Sequence, residues 1–177
     1  DISDVVMGNV LQAGVGQAPA RQAAIQAGLP PAARCTTIHK VCGSSMEAIV
    51  LGARALAAGD ASCVIAGGME SMSSAPYLLP KARTGFRLGN QSVIDSIIHD
   101  GLWDPYNNMH MGACAEQCAK KYSLSREQQD SFAVESFQRA NATQKRGGFS
   151  DEITPLQISA KADETVGKDD EGPGKLI

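Results

Sequence analysis

Three short runs rich in β-branched or apolar residues, VVMGNVL, CTTIHKV and SCVIAGG, alternate with two stretches of helical patterning, ARQAAIQAGL and CGSSMEAIVLGARALAAG. This alternation constrains the fold more than any other feature of the chain. Parallel strands cannot be joined by a tight hairpin; they need a crossover of roughly a dozen residues or more, which the intervening segments supply. The expected architecture is α/β, a βαβαβ arrangement with a mostly parallel sheet and helices on both faces. The third run is nearly continuously apolar, as a strand covered on both sides requires. In sheets of this kind functional residues gather beyond the carboxyl ends of the strands.

Local punctuation supports the same reading. Pro19 suits the first turn of the first helix, and Gly28 stops it ahead of Pro30 and Pro31. In the second helix Met46, Ile49, Val50, Ala53 and Leu56 recur at helical spacing. From Ser71 the segment SMSSAPYLLPKARTGFRLGN has turn formers and no sustained period, so the chain is expected to leave the sheet core there. Two helices should follow. One ends near Tyr122, and the other starts at Ser125 with Gln128 as capping-box partner and Phe132, Ala133, Ser136, Phe137 and Ala140 on its buried face. EITPLQI reads as a strand, and the polar tail beyond it has no visible core. The division expected is a sheet core over residues 1–72 and a loop-domain segment over 73–177.

Composition narrows the function classes. With 177 residues, 43% hydrophobic and 20% charged, the chain is globular in character. A formal charge of −3 supplies no basic footprint, so neither nucleic acid nor an anionic membrane is an expected partner. No uninterrupted apolar run approaches roughly 18 residues, and DISDVVMGNVL lacks the basic flank of a signal peptide. The chain opens at Asp1 without a Met and stops in GKDDEGPGKLI, which reads as a piece of something longer.

Five cysteines, Cys35, Cys42, Cys63, Cys114 and Cys118, are an odd number without CxxC spacing, so neither a disulfide framework nor a metal site is expected. A reducing compartment fits: the cytoplasm, or the mitochondrion in a eukaryote. Cys114 and Cys118 share a helical face but lack further ligands around them. Cys42 stands apart because it falls where a strand runs into a helix. Unpaired N–H groups and the positive end of the helix dipole stabilise a thiolate there, and Gly43, Ser44 and Ser45 leave room for a carbonyl group to approach. Spacing alone leaves two readings open, an activated nucleophile for acyl transfer or an inert buried thiol. Gly67 and Gly68, at the end of the third strand, would permit close backbone approach near that cysteine.

The stretches TTIHKVCGSSMEAI, AGGMESMSSAPY and HMGACAEQCAKKY, in that order, resemble the thiolase family, in particular its acetyl-CoA acetyltransferases. GNVLQAGVGQAPARQAA is similar to the opening of the thiolase core, and REQQDSFAVESFQRA to a helix of its loop domain. The resemblance covers nearly the whole chain and is weakest after about residue 158. It implies a layered thiolase fold, incomplete here, in which Cys42 takes an acyl group from acyl-CoA as a thioester. A second acetyl-CoA would then condense to acetoacetyl-CoA, or thiolysis would run in reverse, as in fatty acid and ketone body metabolism. The resemblance further implies CoA thioesters as substrates with no other cofactor, and a homodimer or homotetramer. His110 and Met111 in MHMG, and Leu102, match segments that contact the CoA arm.

The chain departs from the family where a pattern like NKVCGSGM is usual, carrying His39 and Ser45 instead. The family's GHP histidine, its acid/base cysteine in a CxGGG-like motif and an Asn-containing oxyanion motif are not found in these 177 residues. All three belong to the second half of a thiolase, so the fragment alone is expected to be inactive. A longer-chain 3-ketoacyl-CoA thiolase and a non-catalytic acyl-CoA-binding or oligomerisation module are the alternatives.

Overall fold

A computed structural model describes residues 2–157 and 165–166. The chain divides into two compact units, residues 1–114 and 115–177.

The first unit is built on a parallel sheet of order β2-β1-β3, with β1 Asp4–Gly8, β2 Arg34–Ile38 and β3 Val64–Gly68. Helix α1, Pro19–Gln26, makes the first crossover, and α2, Ser44–Ala58, makes the second. Because the first crossover runs from central β1 to edge strand β2 and the second runs back across β1 to the other edge, β3, right-handed connections place the helices on opposite faces. The contacts agree. The Ala20 N–H donates to Thr37 Oγ1 at 3.1 Å on one face, whereas α2 lies against Gly8, Val64 and Ala66 on the other. The register sets Gly8 level with both Ile38 and Gly68, so the three strands end together and the loops after them converge.

Small residues let α2 come close. Its buried positions are Ser44, Ala48 and Gly52, one turn apart, and a Cβ at Gly52 would already stand 3.1 Å from Val64 Cγ1. The large apolar residues that mark α2 as a helix point elsewhere: Met46 is 72% exposed, and Ile49 and Leu56 are also exposed. The window Val41–Ala58 reaches a mean hydropathy of 1.3 and is long and apolar enough to cross a membrane on composition alone. It is not an uninterrupted apolar run, since Glu47 and Arg54 fall within it; it reaches this mean because α2 is apolar on the side it buries and on the side it exposes. Buried apolar side chains of the unit are Val5, Leu11, Ala20, Ala24, Ala33 and Ala48.

Strand β2 ends at Ile38, short of the CTTIHKV run, because residues 39–43 form a turn. Arg21 donates to the carbonyls of Ala33 and Pro31 and braces the approach to β2. Beyond β3 the chain forms short antiparallel pairs: β4 Tyr77–Leu78 with β5 Ile94–Asp95, and β6 Trp103–Asp104 with β7 Met109–His110. A π-turn, Ile97–Leu102, leads into β6.

Asp104 is buried and closes the β6–β7 connection, accepting from Asn107 Nδ2 at 2.6 Å and from the Tyr106 N–H at 2.9 Å. Those donors, the Asn107 side chain foremost, hold its carboxyl below the usual carboxylate range. A lowered folded pKa stabilises fully above the unfolded value, near pH 4, and is lost as pH falls through the folded value. We expect Asp104→Asn to lower Tm at neutral pH, with the gap to the parent closing below about pH 4. A gap that stays constant down to acid pH would contradict this account.

Helix α3, Met111–Lys121, contains the boundary between the units, and α4, Arg126–Lys145, lies in the second. The capping box at Ser125 forms as expected: the Gln128 N–H donates to Ser125 Oγ, and the Ser125 N–H donates to Gln128 Oε1. The expected buried face of α4 does not form. Phe132 is 73% exposed, Ala133 and Ser136 are exposed, and Phe137 and Ala140 are half-buried. Nothing within the described residues covers that helix as the periodicity requires. Of the EITPLQI strand only β8, Leu156–Gln157, forms, pairing antiparallel with β9, Thr165–Val166; Ile158 lies outside the described residues.

Candidate active site

The turn between β2 and α2 carries Cys42. Val41 just before it has φ 48°, left-handed backbone that a β-branched residue adopts only at a cost on the order of 1–3 kcal/mol. The turn is held from within. Ser44, 5% exposed, accepts the Lys40 N–H at 2.9 Å and donates its hydroxyl to the Val41 carbonyl at 2.6 Å. The Gly43 N–H donates to the Lys40 carbonyl and the Ser44 N–H to that of Val41. His39 Nδ1 accepts the Val41 N–H at 3.1 Å. These bonds lift Cys42 onto the outside of a sharp bend, where it is exposed. In this chain Cys42 is therefore not a buried thiol.

Cys42 opens on a cavity of about 310 Å³ lined also by Gly8, Val10, Val41, Ser45, Gly68 and Glu70. Its walls are the three converging strand ends. Two glycines make the convergence possible. A Cβ at Gly8 would lie 2.6 Å from Ser44 Cβ, and one at Gly68 would lie 2.0 Å from Ser45 Oγ. Of the glycine pair singled out in the sequence, Gly68 takes the close approach; Gly67 faces Met7 at an ordinary 3.8 Å. The Ser45 hydroxymethyl rests over Gly68, on the cavity wall. The Glu47 N–H is taken by the Gly43 carbonyl, while the Ser45 and Met46 amides find no such backbone acceptor among the described residues. Donors at the start of a helix are suited to a thiolate or a developing oxyanion.

Glu70 joins two of the strand ends. Its carboxylate accepts from Asn9 Nδ2 at 2.9 Å, from the Val10 N–H at 2.8 Å and from the Leu11 N–H at 3.0 Å. Asn9, 4% exposed, also donates to the Met69 carbonyl. The loops after β1 and β3 are thus locked to each other beside the thiol.

Leu102, His110 and Met111 are brought near one another but not into this cavity. Pairing of Trp103 with His110 sets Leu102, half-buried, close to the β7 end. His110 Nδ1 accepts the Gly112 N–H at 3.0 Å, so the neutral ring carries its proton on Nε2. Met111 starts α3 and is 42% exposed. Among the described residues no group of three or more His, Cys, Asp or Glu comes together to hold a metal ion.

The family model for the thiolase N-terminal domain matches residues 1–176. The chain belongs to the thiolase family. It is 53% identical over 173 residues to an acetyl-CoA acetyltransferase of Pseudomonas aeruginosa, covering 97% of this chain and 44% of that protein. Against the acetyl-CoA acetyltransferase of Cupriavidus necator identity is 54% over 171 residues, with 96% and 44% covered. The mitochondrial acetyl-CoA acetyltransferase erg10A of Aspergillus fumigatus is 50% identical, with 97% and 40% covered. The Acat5 thiolase of Ascaris suum, solved in complex with coenzyme A, superposes with a TM-score of 0.91 at 40% identity, over 99% of this chain and 44% of that one. The chain therefore spans less than half the length of the thiolases it matches, and it carries the N-terminal half of the fold.

Sequence reading of this thiolase half missed Ser44 as the pin of the turn, His39 as an acceptor, and the Asn9–Glu70 pair. Ser44 and Glu70 sit in the quoted motifs, but a hydroxyl bonded to its own turn and a carboxylate bonded to another loop leave no periodic trace.

Proposed function

We propose that this chain supplies the acyl-accepting half of an acetyl-CoA C-acetyltransferase, forming acetoacetyl-CoA and CoA from two acetyl-CoA or running the reverse thiolysis. The observation that carries the reading is Cys42 on a strained turn at the start of α2, exposed to a cavity with unpaired amides beside it. The thiolate would attack the acetyl-CoA carbonyl carbon, forming the acetyl-cysteine thioester as the C–S bond to CoA breaks; CoA leaves as a thiolate and takes up the proton that the Cys42 thiol had given up. Covalent catalysis of this kind divides one difficult condensation into two easier steps.

The same reading makes Leu102, His110 and Met111 contacts for the CoA arm, with His110 Nε2 as the available donor. Coenzyme A thioesters are the only cofactor-like molecules it calls for, and a homodimer or homotetramer is the expected assembly. Residues 1–72 would form the sheet core and 73–177 a loop-domain segment. A reducing compartment, cytoplasmic or mitochondrial, suits five free thiols. The proton-transfer groups are assigned to the half that this chain does not contain.

Thiolysis of acetoacetyl-CoA against longer 3-ketoacyl-CoA, measured on a polypeptide joining this chain to its second half, tests the assignment. Preference for the four-carbon substrate is expected, and preference for long chains would overturn it.

A further inference from the structure

We infer that His39 is a positioning residue for the nucleophile: its Nδ1, by accepting the Val41 N–H, holds the turn that presents Cys42. The inference deepens the acyl-transfer reading and rests on it only for the reaction being accelerated.

Val41 is the one left-handed residue in the turn, and it lies directly between the His39–Lys40 pair and Cys42. Its carbonyl is secured twice, by the Ser44 hydroxyl at 2.6 Å and the Ser44 N–H at 3.1 Å. Among the described residues its N–H has a single partner, His39 Nδ1 at 3.1 Å. Ser44 ties Lys40 and the Val41 carbonyl to the helix start, and His39 is the acceptor that holds the amide between them. Lys40 leaves this task to its neighbour, since its N–H goes to Ser44 Oγ and its ammonium pairs with Glu47 at 2.5 Å.

The geometry is that of a side-chain acceptor reaching the amide two residues on, which Asn also achieves through Oδ1 and an aliphatic side chain does not. His110 repeats it with the Gly112 N–H at the start of α3. In both places a histidine ring closes the turn that leads into a helix. His39 is exposed, so its replacement removes the acceptor without opening a core cavity.

The test compares parent, His39→Leu and His39→Asn in a polypeptide carrying this chain with the second thiolase half. Two rates are read at Cys42: alkylation by iodoacetamide, which needs no acyl-CoA, and acetylation by acetyl-CoA. His39→Leu should slow both about three- to tenfold, the effect of losing one net hydrogen bond. His39→Asn should restore both to within about twofold. KM for acetyl-CoA should stay unchanged in both variants while the acylation rate moves. Parent-like rates in His39→Leu, or equal losses in the two variants, overturn the inference. If alkylation follows the expected order but no variant is acetylated, the positioning role stands and the acyl-transfer reading fails.

Discussion

Cys42→Ser should reduce turnover of the complete thiolase by on the order of 10⁴-fold or more, the scale seen when a covalent catalyst loses its nucleophile. Acetyl-CoA should leave a labile acetyl group on Cys42 of the parent, visible by peptide mass spectrometry, and none on the variant. The size of the effect follows from chemistry and placement together. A thiol ionises far more readily than a serine hydroxyl and is the stronger nucleophile, whereas the hydroxyl needs an adjacent base. No His, Lys or carboxylate among the described residues hydrogen-bonds the Cys42 thiol, so the hydroxyl would have no such helper from this half. Acetylation at another residue, with Cys42 unmodified, would defeat the assignment.

Gly8→Ala should be the most damaging of three glycine substitutions at the strand ends. Its new methyl would stand 2.6 Å from Ser44 Cβ, 2.7 Å from the Ser44 carbonyl carbon and 2.8 Å from the Ser45 nitrogen. Two of these are backbone atoms of the first turn of α2, so the helix start must move and carry Cys42 with it. Overpacking of this kind costs about 1–3 kcal/mol, and the alkylation rate of Cys42 should fall as well. At Gly68 the nearest atom is the Ser45 hydroxyl, which can rotate away, so Gly68→Ala should cost less and be partly relieved by Ser45→Ala. Gly67→Ala meets only the end of the Met7 side chain at 3.8 Å and should be near neutral. Denaturant unfolding of the three variants gives the order directly. A Gly8→Ala protein as stable as the parent would mean that α2 does not sit on β1 as described.

The two predictions concern different parts of the sequence, and they were unequally legible. Cys42 could be picked out because a cysteine at a strand–helix junction has a chemical meaning, and the motifs around it resemble one family. Gly8 could not be. In VVMGNVL it is one glycine in a short β-branched run, and its role appears only when β1 is set beside α2. Gly67 and Gly68 were indistinguishable as neighbours in a motif, yet the alternation of the strand turns one toward α2 and the other toward Met7. The expected buried face of α4 failed for a related reason. Periodicity states that a helix has an apolar side, but not whether anything in the same stretch of chain covers it.

By itself the sequence determined the βαβαβ order, the position of the candidate nucleophile at the second strand–helix junction, the capping box of α4 and the resemblance that made thiolase chemistry the leading expectation. Those features are local, encoded in spacing, turn residues and short motifs. The tertiary structure decided that Ser44, Ala48 and Gly52 rather than the larger residues of α2 meet the sheet, and that three strand ends level with one another form a cavity at Cys42. It also assigned His39, Ser44, Asn9 and Glu70 their hydrogen-bond partners. Close approach and polar pairing depend on which atoms the register brings within about 3 Å, and residues as far apart as Asn9 and Glu70 acquire that relation only once the sheet has formed.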